Sequence, residues 1–563
     1  MSYTLFDFIT LIGSLCLFLF GMKMMSEGIQ KIAGEKLRSI LAGMTKNRFF
    51  AILTGVFITT MVQSSSATTV MVVSFVNAGL FNISQALGVI MGANIGTTTT
   101  AWLISILGFK VNIAAISLPI IGIGFPFLFS KKLRNNYLAE ILIGFALLFM
   151  GLELLKESVP NLQENPGMFD FVQNFTGGGY GNLFIFIALG TILTIVLQSS
   201  SATMALTLVM CNNGWIGFAE GAALVLGENI GTTITANLAS LIGNAEARRA
   251  ALSHTIFNIF GIIWILFLFN RYLSGIDSFM LKIGANSPME NPESIPYALS
   301  IFHTSFNIIN TLVLVWFARI ILTITQLVYP PKKEEEEKKQ IEYMGFGLMQ
   351  LPELSLLEAK NLTIKYAHIS KKMFSFVEEL MREENEAKRD EILKRVIKYE
   401  EIVDKVEQEI TEYLVNVSNK EVSALAKERI RRLRIVSIEI EKIGDTCNKA
   451  ANLIREIQRE DISFSSKQKA KIDFMFDLVE EAFDIMFKIL ETENKEYINE
   501  AVDIENRINA FRDQIRDNLY EKFEKSSKKF KSGFFANKIC TSCEKIGDNI
   551  FNINEVVLSI SVE

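Results

Sequence analysis

Gln63-Ser64-Ser65-Ser66-Ala67-Thr68 recurs unchanged 135 residues later as Gln198-Ser199-Ser200-Ser201-Ala202-Thr203. Each copy interrupts an otherwise apolar stretch, 49–81 and 182–212, with one amide and three hydroxyls. Hydroxyl residues at a helix start cap free N–H groups, and the positive end of the helix dipole behind them favours an anion. The serine hydroxyls can also hydrogen-bond a multivalent oxyanion such as phosphate. A second string shares the spacing: Gly92-Ala93-Asn94-Ile95-Gly96-Thr97-Thr98 and, 135 residues on, Gly227-Glu228-Asn229-Ile230-Gly231-Thr232-Thr233. Amide and hydroxyl oxygens, with the carbonyl end of the preceding half-helix, are hard neutral ligands suited to a small cation such as sodium. No Arg or Lys lies in the apolar interior of these segments. A bound anion must then be balanced by a co-bound ion, which favours cation coupling.

Glu228 is the one departure between the second strings, standing where the first has Ala93. An acid at mid-span is costly and points to function, either as a cation ligand or as a proton carrier, with a structural hydrogen bond as the alternative. The broken helix there, ending at Asn229-Ile230-Gly231, is expected to free carbonyls for a cation shell. A third duplication, His254-Thr255-Ile256-Phe257-Asn258 and His303-Thr304-Ser305-Phe306-Asn307, lies in the last two spans, and span 111–130 has no counterpart. These histidines read as packed, hydrogen-bonded residues, with a substrate role as the alternative. An enzyme is disfavoured: three His in all, no nucleophile–base arrangement and no phosphate-binding P-loop.

The elements that must carry these strings are membrane helices. Half of the 563 residues are apolar, and the charges are segregated: 30 fall in residues 1–329 and 87 in the remaining 234. A helix needs roughly 20 apolar residues to cross a bilayer. Stretches of that kind occur near 5–22, 84–107, 111–130, 138–157, 216–242, 250–273 and 295–325. The two stretches interrupted by Gln-Ser-Ser-Ser read as hairpins that enter and leave on one side, because non-helical backbone at membrane depth survives only where protein or water satisfies it. Counted so, the basic loop 23–48, Lys131-Lys132-Arg134, Arg248-Arg249 and Lys332-Lys333 all fall in the cytoplasm, with the N-terminus outside. The hairpins then open from opposite sides, the pattern of inverted repeats in a secondary transporter. The fold class expected is all-α and polytopic. Two inverted repeats (about 5–130 and 138–273) each carry a re-entrant hairpin and a broken helix, an extra span follows at 295–325, and a cytoplasmic helical bundle completes the chain. Residues 1–22 read as a first span rather than a signal peptide.

The boundary is Tyr329-Pro330-Pro331 with the charge run 332–339, a linker over 330–350. In the tail, 351–563, Glu441-Lys442-Ile443-Gly444-Asp445 reappears 103 residues later as Glu544-Lys545-Ile546-Gly547-Asp548. Heptad-spaced apolar residues such as Val396, Tyr399, Val403, Val406 and Ile410 predict a bundle of two similar halves. Cys540 and Cys543 form a lone C-x-x-C within helical periodicity and read as packing, with zinc or redox use as the alternative. The net charge of −5 makes nucleic acid an unsuitable partner.

The duplicated strings resemble the type II sodium/phosphate cotransporter family, whose mark is a Gln-Ser-Ser-Ser motif in two inverted re-entrant hairpins; the match covers 1–329. The resemblance implies symport of sodium and inorganic phosphate across the cytoplasmic (inner) membrane. It implies a substrate site at Gln63, Ser64, Ser65, Ser66, Gln198, Ser199, Ser200 and Ser201, with Asn94, Asn229, Thr97 and Thr232 around it. The sodium donors expected are Gln63, Ser66, Thr98, Gln198, Ser201, Glu228, Asn229 and Thr233. The tail resembles a PhoU domain, a phosphate-signalling module, which implies a divalent-metal site at Glu441, Asp445, Glu544 and Asp548. That family's pattern continues with Asn four residues on, which Asn552 meets and Lys449 does not. A signalling partner or self-association through the tail would follow. The alternatives are a transporter of another small anion, or a phosphate sensor with a membrane anchor.

Overall fold

A computed structural model describes residues 4–42, 47–77, 81–110, 113–159, 179–241, 243–330, 352–419, 422, 424–460, 462–520 and 527–558. Its contacts cluster into two compact units, one holding the helices up to Val328 and the other the residues from Ser355 on. Beyond Pro330 the expected charged linker lies outside the described residues. The described residues form helices and no strand.

The first unit opens with α1 (Leu5–Ala42) and the hairpin α2 (Arg48–Val62) and α3 (Ser65–Asn77), then α4 (Ile83–Leu103), which runs on as a π-helical turn over Ile104–Lys110. Next come α5 (Ala114–Gly124), α6 (Leu133–Ser158), the hairpin α7 (Gly179–Leu197) and α8 (Ser200–Asn212), then α9 (Phe218–Ser240), α10 (Ala245–Lys282), α11 (Ile295–Leu314) and α12 (Ala318–Val328). Among the described residues five helices are long and apolar enough to cross a membrane: Leu5–Ala33, Ile83–Phe109, Arg134–Ser158, Ala245–Lys282 and Pro292–Leu314. α9 falls short of that hydropathy because it carries the second Gly-x-Asn-Ile-Gly string. Most of its residues are buried by neighbouring helices, so they need no apolar match to lipid.

Three expectations are corrected. The basic segment 23–48 is not a loop, since α1 continues to Ala42. Within it Lys31 is held at 2.8 Å by Glu140 of α6, with both side chains largely shielded. The span expected over 295–325 ends at Leu314, where residues 315–317 turn before α12. Twenty residues already reach across a hydrocarbon core, and the exposed Trp316 at the turn suits an interface. The helices through Asn94-Ile95-Gly96 and Asn229-Ile230-Gly231 are unbroken. Their glycines serve close packing instead. A Cβ on Gly92 would lie 2.0 Å from the Ile52 carbonyl oxygen, and one on Gly227 would lie 2.0 Å from that of Ile187.

Those contacts set the direction of the hairpins. Gly55 meets Val89, Gly92 meets Ile52 and Gly96 meets Thr59, so α2 and α4 run parallel. Arg48 at the head of α2 donates to Ser84 at the head of α4 (3.0 Å), and α3 returns between them. Gly190 with Leu224 and Gly231 with Thr194 repeat the arrangement for α7 and α9. The far end of α9 is tied to the first hairpin. Asn244 N donates to Asn77 Oδ1 (2.8 Å) and Asn244 Nδ2 to the Asn77 carbonyl (3.1 Å).

The second unit comprises α13 (Pro352–Arg382), α14 (Glu386–Ser418), α15 (Ala424–Arg459), α16 (Ser466–Thr492), α17 (Ile498–Tyr520) and α18 (Ser527–Leu558). The heptad residues Val396, Val403, Val406 and Ile410 are buried in the core. The duplicated helices α15 and α18 pack against each other. Cys447, Cys540 and Cys543 are buried free thiols within these helices, and burial pushes Cys540 up to about 12.

Candidate functional site

The first hairpin breaks at Gln63, which takes left-handed backbone (φ 53°, ψ 25°). That conformation costs about 1–2 kcal/mol in a residue with a Cβ. Several hydrogen bonds offset it. Gln63 N donates to the Thr59 carbonyl (2.7 Å), its Nε2 donates to the Thr60 carbonyl (2.6 Å), and its Oε1 accepts from Thr100 Oγ1 (3.0 Å). Ser26 of α1 donates to the Val62 carbonyl at 2.5 Å. The carbonyl end of α2, expected to be open to a cation, is therefore largely capped by protein.

Ser64 Oγ accepts from Ala67 N (3.2 Å), so this serine caps α3. Ser65 is buried and Ser66 half-buried in the first turn of α3, and Thr59 and Thr68 join the two arms at 3.0 Å. The second tip repeats the frame. Gln198 is left-handed (φ 50°), Ser199 Oγ accepts from Ala202 N (3.2 Å), and Thr194 and Thr203 join the arms at 3.1 Å. Ser200 and Ser201 are buried. Gln198, however, lies exposed. Thr235, the counterpart of Thr100, bonds back to the Thr232 carbonyl (3.0 Å), and the counterpart of Thr99 is Ile234. The second half thus lacks part of the polar brace that holds Gln63.

The helices bearing the second strings lie against both hairpins: α3 packs on α4 and α9, and α8 packs on α9 and α4. Four serines in the first turns of α3 and α8 therefore belong to one cluster of helices with Asn94, Thr97, Thr98, Asn229, Thr232 and Thr233, all six of which are buried. Asn94 Nδ2 donates to the Ile90 carbonyl (2.9 Å). Thr97, Thr98, Thr232 and Thr233 donate to carbonyls of their own helices at 2.8–3.0 Å. Glu228 is 1% exposed, and neither carboxylate oxygen has a hydrogen-bond partner among the described residues. A buried carboxylate without donors is unstable alone, and a cation ligand or a proton resolves it. Asn229 Oδ1 faces His303 Nε2 at 3.4 Å, so this histidine is a hydrogen-bonded neighbour of the second string. His254, Asn258 and Asn307 are likewise buried. The duplicated His-Thr-x-Phe-Asn string was the signal for them, but its spacing alone did not say which wall of the site they form.

In the tail, Asp445 is paired with Lys449 (3.0 Å) and Glu544 with Arg512 (2.6 Å). Asn552 Nδ2 crosses to Glu439 Oε2 (3.2 Å) rather than turning toward Asp548. Burial, followed by the charges of Asp445, Asp404 and Glu407, holds Glu441 above the usual carboxylate range. Among the described residues no three His, Cys, Asp or Glu side chains gather to hold an ion. Of the four acids expected to hold a divalent metal, Glu441, Asp445, Glu544 and Asp548, two thus have a basic side chain as partner.

The Na+/Pi-cotransporter family model matches residues 17–157 and 170–286, which enclose both hairpins and both second strings. The part of the chain that holds both hairpins is thus similar to the Na+/Pi-cotransporter family. The PhoU domain model matches 363–454 and 472–557, the two halves of the second unit. YjbB of Salmonella typhimurium, provisionally named an inorganic phosphate export protein, is 25% identical over 83% of this chain and 82% of its own length. YqeW of Bacillus subtilis, an uncharacterised protein, is 27% identical over 56% of this chain and 96% of its own. Sodium-dependent phosphate transport protein 2A of Rattus norvegicus is 32% identical over 17% of this chain and 16% of its own. No solved structure matches the chain.

Proposed function

We propose that this protein is a sodium-coupled transporter of inorganic phosphate in the cytoplasmic membrane, with a cytoplasmic PhoU tail that regulates it. The observation that carries the reading is the pair of hairpin tips. Each presents two serines in the first turn of a helix whose N–H end is only partly capped, a donor-rich setting for an oxyanion. No cation side chain stands in either tip, so sodium beside the phosphate supplies the compensating charge, with Glu228 as its carboxylate ligand. The substrate-binding set is Ser65, Ser66, Ser200 and Ser201, framed by Gln63, Ser64, Gln198 and Ser199.

The halves are proposed to be inverted repeats. In support, α9 begins at the mouth of the second hairpin and ends, through Asn244, at the mouth of the first. One binding cluster is thereby reached from two sides, the requirement for alternating access. The N-terminus is placed outside, with Lys131 and the tail, 351–563, in the cytoplasm and 330–350 as the linker. Impermeant thiol labelling of Lys131→Cys and Asn291→Cys on intact cells tests this. Position 291 should label and 131 should not; labelling of 131 from outside overturns the topology.

Radiolabelled phosphate uptake into proteoliposomes under an inward sodium gradient tests the function, with sulfate and small carboxylates as competitors. Sodium-driven uptake that only unlabelled phosphate suppresses is expected. Displacement by sulfate or a carboxylate would assign the site to another anion. Flux retained after deletion of the tail separates a transporter from an anchored sensor. The relatives named for export do not conflict with symport, because a coupled carrier runs in the direction its gradients set.

A further inference from the structure

Asn258 on α10 and Asn307 on α11, at the same place in the two His-Thr-x-Phe-Asn strings, are 1% and 0% exposed. Each ties its Nδ2 to its own helix: Asn258 to the His254 carbonyl (3.3 Å) and Asn307 to the His303 carbonyl (2.9 Å). Each leaves its Oδ1 without a partner among the described residues. With one amide hydrogen of each fixed in this way, each side chain keeps a carbonyl oxygen that no described donor meets.

Contacts between the helices set the levels of these oxygens. α11 runs antiparallel to α4, with Ser300 on Ser105, Thr304 on Trp102 and Thr311 on the Met91 carbonyl. Asn307 therefore lies opposite Thr98, on the stripe of α4 between Met91 and Trp102. α11 runs parallel to α9, with Leu299 on Gly221 and His303 on Asn229. One turn beyond each of those residues, Asn307 reaches the level of Thr233. α10 runs antiparallel to α9, with Thr255 accepting from Asn237 (2.8 Å). Asn258 therefore also falls at the level of Thr233, on the stripe between Asn229 and Asn237. Here Trp102–Thr304 and Asn237–Thr255 are equivalent pairs, 135 residues apart on the first partner. α11 takes against α4 the place that α10 takes against α9, which explains why the span at 111–130 has no such string.

Thr98 and Thr233 have the same polarity as the asparagines. Each donates its hydroxyl hydrogen to its own helix, to Ile95 and Ile230 carbonyls at 2.8 Å. Four buried side chains near one level thus each spend a donor on their own helix and leave oxygen lone pairs over. Such a set repels phosphate and attracts a hard cation, and it carries no formal charge that would select a divalent ion. We propose that Asn258 and Asn307, at the level of Thr98 and Thr233, form a monovalent cation site apart from the hairpin tips. The identity of the cation as sodium rests on the proposed function above. A water donating to both amide oxygens is the other occupant this chemistry allows, and it predicts no sodium dependence at these positions.

The test is thermal stabilisation of the purified full-length protein by NaCl, without phosphate and with choline chloride holding ionic strength constant. Wild type should be stabilised by sodium. Asn258→Leu and Asn307→Leu should each raise the sodium midpoint roughly ten- to hundredfold, the loss of one ligand to a charge. A Ser65→Ala/Ser200→Ala double variant should keep the wild-type midpoint. Leucine variants that keep it would overturn this site and leave the sodium reading standing. Absence of any sodium effect in wild type, together with sodium-independent flux, would overturn both. Because a leucine variant can fail to fold, Asn307→Asp is the second arm. Its added carboxylate should make calcium stabilise the protein, and an unchanged sodium midpoint with no calcium response would overturn the proposal.

Discussion

Ser65 and Ser200 hold matching places in the first turns of α3 and α8, buried, one residue after the serines that cap those helices. If their hydroxyls contact the transported anion, loss of one bond to a charged group costs about 1.5–3 kcal/mol, roughly ten- to hundredfold in apparent affinity. Ser65→Ala and Ser200→Ala should each weaken phosphate half-saturation by that factor, read by uptake kinetics at saturating sodium. Unchanged kinetics in both would remove them from the site. Glu228 is expected to act on the cation instead. Glu228→Gln should weaken sodium activation more than phosphate affinity at saturating sodium, and it should change the charge moved per phosphate in voltage-clamped liposomes. Unaltered sodium activation and charge in that variant would leave Glu228 a structural group. The tip serines were legible in the sequence because they occur twice in identical surroundings. The difference between Gln63 and Gln198 was harder to see. Its trace is a single substitution 36 residues downstream, Thr99 against Ile234, whose meaning depends on which helices touch.

At the scale of elements, the two hairpins and the long helices followed from polar interruptions in apolar stretches. The Gly-x-Asn-Ile-Gly string was misread as a helix break because glycine marks both breaks and close approach, and only packing against α2 and α7 tells them apart. Gly227→Ala should therefore cost about 1–3 kcal/mol, since its methyl would meet the Ile187 backbone. Gly122→Ala, with nothing within 4 Å, should be neutral or stabilising. Thermal unfolding of the two variants side by side checks this, and equal effects would contradict the packing account. In the tail, burial and the neighbouring Asp548 push Glu505 up to about 7. The folded state then holds a proton that the unfolded chain releases in the ordinary carboxylate range. Stability of the tail should fall as pH rises from that range to about 7 and level off above. Glu505→Gln should reduce the slope, read by hydrogen exchange of α17 and α18 in the full-length protein; an identical slope in the variant would contradict it.

For the molecule as a whole, segregation of charge between residues 1–329 and the remainder made two solvent environments legible from composition alone. The pairing of α11 with α4 was not legible, because it joins residues some 200 positions apart and passes over the span at 111–130 that chain order would have put there. That pairing gives both halves the same three-helix wall, one wall built from consecutive helices and the other borrowing its third from the end of the domain. The central claim is that this two-walled cluster binds phosphate and sodium together and exposes them alternately. Sodium-dependent counterflow tests it most directly: liposomes loaded with excess unlabelled phosphate are diluted into a trace of labelled phosphate, with equal sodium, or equal choline in its place, on both sides. The account predicts transient accumulation of label only when sodium is present on both sides, and its loss in Ser65→Ala/Ser200→Ala. Equal exchange with sodium replaced by choline, or no exchange in either condition, would contradict it.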